Sequence, residues 1–323
     1  MNIIRFEYKD ISTYRSELMG WAIIWIMMLH FTFTQITPLG FVAQYGFAGV
    51  DIFMLVSGFG LFFSLDKNPN ISQYYQRRIL RIFPTYFFLG IFASLIVFHD
   101  SILTYLIRYT TIGFWTGIPY WEWYIPTIIS FYLIAPFIKL LIDKRKHITL
   151  STILTIILLS AFYVVAKDIF EAKDPHFFML YRFPAFVFGM LCAYWMKNEA
   201  SKMYYYSILA IGIPCFVFLF PHHHEIYNYK YFSLLFLLPV FAFIFIFISK
   251  CIKKINPIIS HIGKASLEVY LIQCIFFNLI IDGRFIVPSA WHDTITFALI
   301  LVSSILGILT HWLINRLTNR FFS

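Results

Sequence analysis

The first two apolar stretches of the chain read WAIIWIMMLHF (residues 21–31) and FAGVDIFMLVSGFG (residues 47–60). Each lies within a longer apolar run, 20–37 and 41–65, and each run is close to the length that crosses a bilayer as a helix. Neither shows the alternation of a transmembrane β-strand. A short turn near residues 38–45 separates the two runs, so the pair predicts two antiparallel membrane-spanning helices.

The same apolar character continues along the whole chain. Of the 323 residues, 60% are hydrophobic and only 13% are charged, whereas an average soluble domain is roughly 25% charged. A soluble globule of this length could not hide so much apolar surface. We therefore predict an all-α polytopic membrane bundle, with residues 1–323 forming a single integral-membrane domain. Its ten predicted spans are 20–37, 41–65, 83–98, 123–142, 148–166, 177–196, 204–220, 231–249, 265–282 and 294–314.

The basic residues indicate the orientation. With ten spans, 19 of the 25 Lys and Arg residues fall on the side of the two termini and of the loops near 66–82, 139–147, 197–203 and 250–264. Cytoplasmic loops carry such an excess, so we predict that both termini are cytoplasmic. This bias accounts for the net charge of +9, and no nucleic-acid partner is predicted.

Several polar side chains lie where a bilayer disfavours them. A charged group at the centre of a membrane helix costs about 2.5–3.5 kcal/mol on insertion scales. His30 and Asp51 fall in the outer halves of the first two predicted spans, where an imidazole and a carboxylate could form a general base and its orienting partner. The alternative is a buried polar pair that ties the two helices together. Other polar residues of this kind are Glu122, Arg182, Glu268 and Gln273.

The segment YYQRRILRIFPTY places Arg77, Arg78 and Arg81 at the cytoplasmic mouth of the third predicted span. On a helix Arg81 lies about one turn from both other arginines. Planar guanidinium groups suit phosphate, so a phosphorylated ligand is one interpretation. An ordinary positive-inside signal with lipid headgroup contact is the other.

Histidines and cysteines give no metal site. The adjacent His222–His224 cannot all face one ion, and the four cysteines are far apart with no CxxC pair. We therefore predict no bound metal. An interfacial position is predicted for the histidines near span ends, which are His99, His147, His176, His261, His292 and His311.

Five motifs follow one another along the chain: ELMGWAIIWIMMLH (17–30), GFAGVDIFMLVSGF (46–59), RRILRIFPTY (77–86), WYIPTIISFYLIAP (123–136) and GKASLEVYLIQ (263–273). In this order they resemble the acyltransferase type three family of integral-membrane O-acyltransferases, and RFPAFVFG (182–189) adds a weaker match. Together they extend over most of the chain. Departures from the family pattern are Met19 in place of an Arg, Ile128 in place of a Glu, and Gln273 in place of a His.

The resemblance implies transfer of an acyl group, most often acetyl, from cytoplasmic acyl-CoA to a hydroxyl of a surface polysaccharide or lipid-linked glycan. His30 would be the general base and Asp51 its orienting carboxylate, and the three arginines would bind the CoA phosphates. Acyl-CoA is then a co-substrate, with no tightly bound cofactor, and the expected location is a bacterial plasma membrane. Candidate residues lining the site are Glu122, Trp123, Arg182, Ser266, Glu268, Tyr270 and Gln273.

Two other function classes fit parts of the sequence. A transporter or flippase of a glycan intermediate would also use internal polar residues and a basic mouth, although the chain shows neither inverted repeats nor paired broken helices in its sequence. A membrane scaffold for glycan assembly would not need His30.

Overall fold

The computed structural model describes residues 7–31, 38–116, 122–144, 175–198, 212–217, 236–288 and 291–322. The regular elements in these ranges are helical, as the continuous apolar runs predict, and the described ranges contain no strand. A π-helical turn, Ser94–Phe98, directly follows the helix Ile71–Ala93. The helices are Tyr8–Thr13 (α1), Arg15–His30 (α2), Pro38–Ala43 (α3), Ala48–Lys67 (α4), Ile71–Ala93 (α5), Ile102–Tyr109 (α6), Ile112–Trp115 (α7), Tyr124–Lys144 (α8), Pro175–Lys197 (α9), Leu238–Cys251 (α10), Asn256–Lys264 (α11), Ser266–Ile281 (α12) and His292–Phe322 (α13).

Four helical segments in the described ranges are long and apolar enough to cross a membrane: Ala48–Lys67, Ile71–Phe98, Tyr124–Asp143 and His292–Thr318. A fifth span is possible if α11 and α12, which meet at a bend of 76°, are counted as one broken crossing. The predicted run 148–166 and most of 204–220 lie outside the described residues. The described ranges therefore contain four or five candidate membrane-spanning helices, whereas the count of ten and the cytoplasmic termini stay predictions.

The helices group into two compact units, each assembled from three separate stretches of the chain. Unit 1 comprises Met1–Leu18, Val50–Tyr74 and Thr127–Lys253, and unit 2 comprises Met19–Gly49, Tyr75–Pro126 and Lys254–Ser323. Several helices, including α2 and α5, contribute residues to both units. The prediction of a single domain over residues 1–323 remains a prediction.

In unit 1, α4 and α9 pack with their backbones in direct contact. A Cβ atom built on Gly58 would overlap the carbonyl oxygen of Phe186, and one built on Gly189 would overlap that of Leu55. Small residues at such crossings let membrane helices approach closely. This reciprocal contact fixes the position of the inward-facing side chains on both helices.

In unit 2, α12 is the central helix, packing along α13 and against the π-helical turn. The C-terminal end of α2 is held by Thr296 near the start of α13, whose hydroxyl donates to the carbonyl of Phe31 over 2.9 Å. The indole of Trp25 donates to the carbonyl of Val42 over 2.8 Å and ties α2 to α3. These contacts hold the last turn of α2, where His30 lies, beside α12.

Candidate functional site

His30 is the last residue of α2, and its ring stacks on Phe277 of α12 with 4.8 Å between ring centroids. The Nδ1 atom is buried and has no hydrogen-bond partner among the described residues. The polar group beside the ring is the fully buried carboxamide of Gln273. Gln273 and Phe277 are four residues apart on α12 and so share one helix face. An amide can donate or accept a hydrogen bond, so Gln273 can orient the imidazole without competing for a proton.

Glu268, one turn before Gln273 on α12, is a buried charged residue of unit 2, with none of its surface exposed. Its Oε1 atom accepts from Arg81 Nη1 over 3.2 Å and from the Thr85 hydroxyl over 3.2 Å. The same atom lies 3.1 Å from His311 Nδ1 on α13. Because Glu268 is in the first turn of α12, the positive end of the helix dipole also favours its charge. One carboxylate therefore joins α5, α12 and α13.

Arg81 has a second contact that fixes the bend before α12. Its Nη2 donates to the carbonyl of Lys264, the last residue of α11, over 3.1 Å. Arg77 is exposed and Arg78 is half-buried one turn before it. The structure thus supplies a counter-ion for Arg81 that lies 187 residues away in sequence. A phosphate-binding role for the three arginines stays a prediction.

His311 is a residue whose contacts the sequence did not indicate. Its Nε2 lies 2.9 Å from Asn315 Nδ2, one turn further along α13. With the Asn315 amide donating to Nε2, the proton of a neutral ring is on Nδ1 and points at Glu268. The side chain is 23% exposed, and the interfacial position predicted from the sequence stays a prediction. In the sequence around His311, its spacing of four residues from Asn315 was the feature that could have indicated this contact.

Two buried polar side chains of α12, those of Glu268 and Gln273, lie close together along the helix. Glu268 and Gln273 are five residues apart, which is about 7.5 Å of helix rise. Arg81 and His311 contact the first turn of α12, whereas His30 lies beside its middle. A ligand anchored near Arg81 would therefore need an extended arm to reach the imidazole.

Glu122, which precedes α8, is a further buried charge close to α12. The residue is buried, and its charge acts on Arg108, Tyr270 and Cys274. Arg108 Nε donates to Asp100 over 3.0 Å in the segment before Glu122. Burial disfavours the charge on Arg108, but the Asp100 hydrogen bond and the charge of Glu122 outweigh it, so the pKa of Arg108 is raised.

Most of the predicted lining residues thus collect around one helix. Ser266, Glu268, Tyr270 and Gln273 are buried residues of α12, and the Tyr270 ring lies 5.3 Å from that of Tyr124. Trp123, which precedes Tyr124, is half-buried. The remaining predicted residue, Arg182, lies elsewhere.

Arg182 and Asp51 form a buried ion pair inside unit 1. Arg182 Nη1 donates to Asp51 Oδ2 over 2.6 Å, and each side chain is 2% exposed. The pair joins α9 to α4, so the interpretation of Asp51 as a helix-tying residue applies to these two helices. A role for Asp51 in orienting His30 stays a prediction.

Comparison with known proteins bears on what these residues do. A model of the acyltransferase domain matches residues 18–313. The chain belongs to the acyltransferase 3 family. A protein of Acidianus two-tailed virus named "Putative acetyltransferase ORF330" is 27% identical over 209 residues, which cover 58% of this chain. The chain matches 59% of that relative's length. No solved structure matches the chain.

Membership of the acyltransferase 3 family supports acyl transfer as the activity, and the apolar helices are consistent with a membrane protein of that family. The matched region contains both α2, with His30, and α12, with Gln273 and Glu268. Within the ranges that the structure describes, no three His, Cys, Asp or Glu side chains group to hold a metal ion.

Proposed function

We propose that this acyltransferase moves an acyl group, acetyl in the first instance, from acyl-CoA to a hydroxyl of a glycan, with His30 as the general base. The observation that carries the proposal is the position of His30. It lies in the matched family region with a buried Nδ1, beside an amide and an aromatic ring of α12. The name of the viral relative also supports acetyl as the group transferred.

The chemistry explains why a histidine is needed. A sugar hydroxyl is a weak nucleophile at neutral pH, and a neutral imidazole can accept its proton as the oxygen attacks. The oxygen then attacks the thioester carbonyl, the C–S bond breaks, and the proton on the imidazole passes to the departing CoA thiolate. The products are the O-acyl sugar and free CoA. The imidazole ends the cycle unchanged.

The donor would bind at the end of unit 2 where Arg81 lies. Arg77, Arg78 and Arg81 would hold its phosphates, and Glu268 would position Arg81. The acyl end would then extend along α12 towards His30, as the separation of about 7.5 Å between Glu268 and Gln273 along the helix requires. The protein would be a multi-pass membrane protein that takes its donor from the cytoplasmic side, as the charge bias predicts.

Substitution of His30 tests this proposal. His30→Ala and His30→Gln should both lower acyl transfer by about 10²- to 10⁴-fold, the range that a positioned general base contributes. Gln can fill the space and form a hydrogen bond, but it cannot accept the proton. Transfer should be measured on membranes with labelled acetyl-CoA, normalised to the amount of folded chain.

His99→Asn is the matched control, because it also removes an imidazole but in a loop, at a left-handed backbone position that Asn tolerates. Its transfer rate should stay within about twofold of wild type. A His30 that only ties helices together predicts the opposite pattern: an active Gln variant and a poorly folded Ala variant. That result would remove His30 from the mechanism.

A further inference from the structure

A pocket of about 390 Å³ opens between α11 and the C-terminal half of α13, inside unit 2. A site of this volume is large enough for a small organic ligand. Two of the residues that line it, Lys264 and Arg316, are cationic, and none of the lining residues carries a carboxylate. Apart from Ile308, the lining residues are His261, Lys264, His311, Trp312, Asn315 and Arg316.

The charges behind the pocket balance each other. His311 forms part of the wall and contacts the buried Glu268, whose single negative charge is already paired with Arg81. Arg81 in turn holds the backbone at Lys264. Lys264 and Arg316 therefore belong to the pocket wall without a carboxylate in that lining to neutralise them.

Trp312 adds a flat aromatic surface at the mouth. Its side chain is 58% exposed, and the Arg316 guanidinium lies 5.3 Å from the centre of its ring. Exposed aromatic rings beside arginine provide stacking surfaces for planar groups such as nucleobases. A guanidinium and an ammonium suit phosphate oxygens.

We infer that this pocket binds a phosphate ester, with Lys264 and Arg316 contacting the phosphate and the Glu268–His311 contact holding the inner wall in place. The ester could belong to a nucleotide or to a phospholipid headgroup. In the nucleotide case the inference rests on the proposed function, because the donor acyl-CoA carries an adenosine bisphosphate. The pocket is formed by α11 and α13 and is separate from Arg77 and Arg78 on α5.

Direct binding measurements test this inference without relying on acyl transfer. The purified full-length chain is placed in phosphatidylcholine nanodiscs and titrated with adenosine 3′,5′-bisphosphate by calorimetry. In a second arm, nanodiscs that contain phosphatidylglycerol are analysed for retained anionic lipid by native mass spectrometry. Each arm compares wild type with Lys264→Gln and Arg316→Gln. Lys254→Gln is the matched control, since Lys254 is an exposed lysine of the preceding segment that does not line the pocket.

Loss of one charged hydrogen bond should weaken binding by about tenfold in each pocket variant, and the control should change it by less than twofold. A loss in the nucleotide arm identifies a nucleotide site, and a loss confined to the lipid arm identifies a headgroup site. Equal binding by wild type and both pocket variants in both arms would overturn the inference. Since neither arm involves His30, a failure here is distinguishable from a failure of the proposed acyl transfer.

Discussion

At the scale of single residues, the buried charges of this chain differ in how they are compensated. Glu268 receives three contacts on one oxygen, from Arg81, Thr85 and His311. Asp51 Oδ2 accepts a hydrogen bond from Arg182, whereas the buried Oδ1 has no hydrogen-bond partner among the described residues. Removal of one partner from a buried ion pair is far more costly than the net value of the pair, because it leaves the other charge buried.

Asp51→Asn should therefore destabilise the protein by about 3–5 kcal/mol. The double variant Asp51→Asn with Arg182→Gln should recover part of that loss, since neither residue then carries a charge. The measurement is thermal unfolding in detergent, followed by tryptophan fluorescence.

Asp66→Asn is the control for this change, because it makes the same substitution on the same helix. Asp66 is 28% exposed and pairs with Lys139 and Lys197, and exposed pairs contribute about 0–1 kcal/mol. An equal loss of stability in Asp51→Asn and Asp66→Asn would contradict the account of the buried pair.

At the scale of the elements, the contact between α4 and α9 depends on two glycines. A Cβ on Gly58 would meet backbone atoms of Phe186, which cannot move without shifting α9. A Cβ on Gly60, in the next half-turn, would lie 3.2 Å from the guanidinium end of Arg15, a long and flexible side chain. The two positions thus provide a matched comparison within one helix.

Gly58→Ala should lower stability by about 1–3 kcal/mol, the usual cost of overpacking. Gly60→Ala should be neutral or slightly stabilising, because Ala is the better helix former by roughly 1 kcal/mol. Thermal unfolding of the two variants under identical conditions gives the comparison. A Gly58→Ala protein as stable as wild type would show that the backbones of α4 and α9 are not in contact.

The length of the apolar runs in the sequence predicted where the helices lie better than it predicted how the helices contact one another. The runs 123–142, 177–196 and 265–282 correspond closely to α8, α9 and α12, because continuous apolar runs are a strong local signal. The bend of 76° between α11 and α12 was not predicted, and it depends on the contact from Arg81 to the Lys264 carbonyl.

For the candidate site, too, the sequence identified the residues but not the residues that they contact. His30, Gln273 and Glu268 were identified because polar residues in apolar runs are conspicuous in any sequence. The partners of Asp51 and Arg81 were missed because they are 131 and 187 residues away. His311 was missed because a histidine near a span end is ordinary, and only the fold shows that it reaches a buried carboxylate.

At the scale of the whole molecule, the prediction that the residue 250–264 segment is cytoplasmic can be tested by labelling. The four native cysteines are first replaced, and single cysteines are then introduced by Lys254→Cys and by Ile286→Cys. These two positions lie at opposite ends of the α11–α12 segment. Both native side chains are exposed. In intact cells, an impermeant thiol reagent should label position 286 and spare position 254 until the membrane is opened. Labelling of both positions in intact cells would contradict the predicted orientation.

The central claim, that this family member transfers acyl groups from acyl-CoA, is tested most directly by following the acyl group itself. Proteoliposomes that contain the purified chain are supplied with radiolabelled acetyl-CoA and a glycolipid extract, and alkali-labile label on carbohydrate is counted. The account predicts ester-linked label that requires the chain and falls by about 10²- to 10⁴-fold in His30→Gln. If the label stays on acetyl-CoA while glycolipid crosses the membrane in a chain-dependent way, the protein is a transporter and the account is wrong.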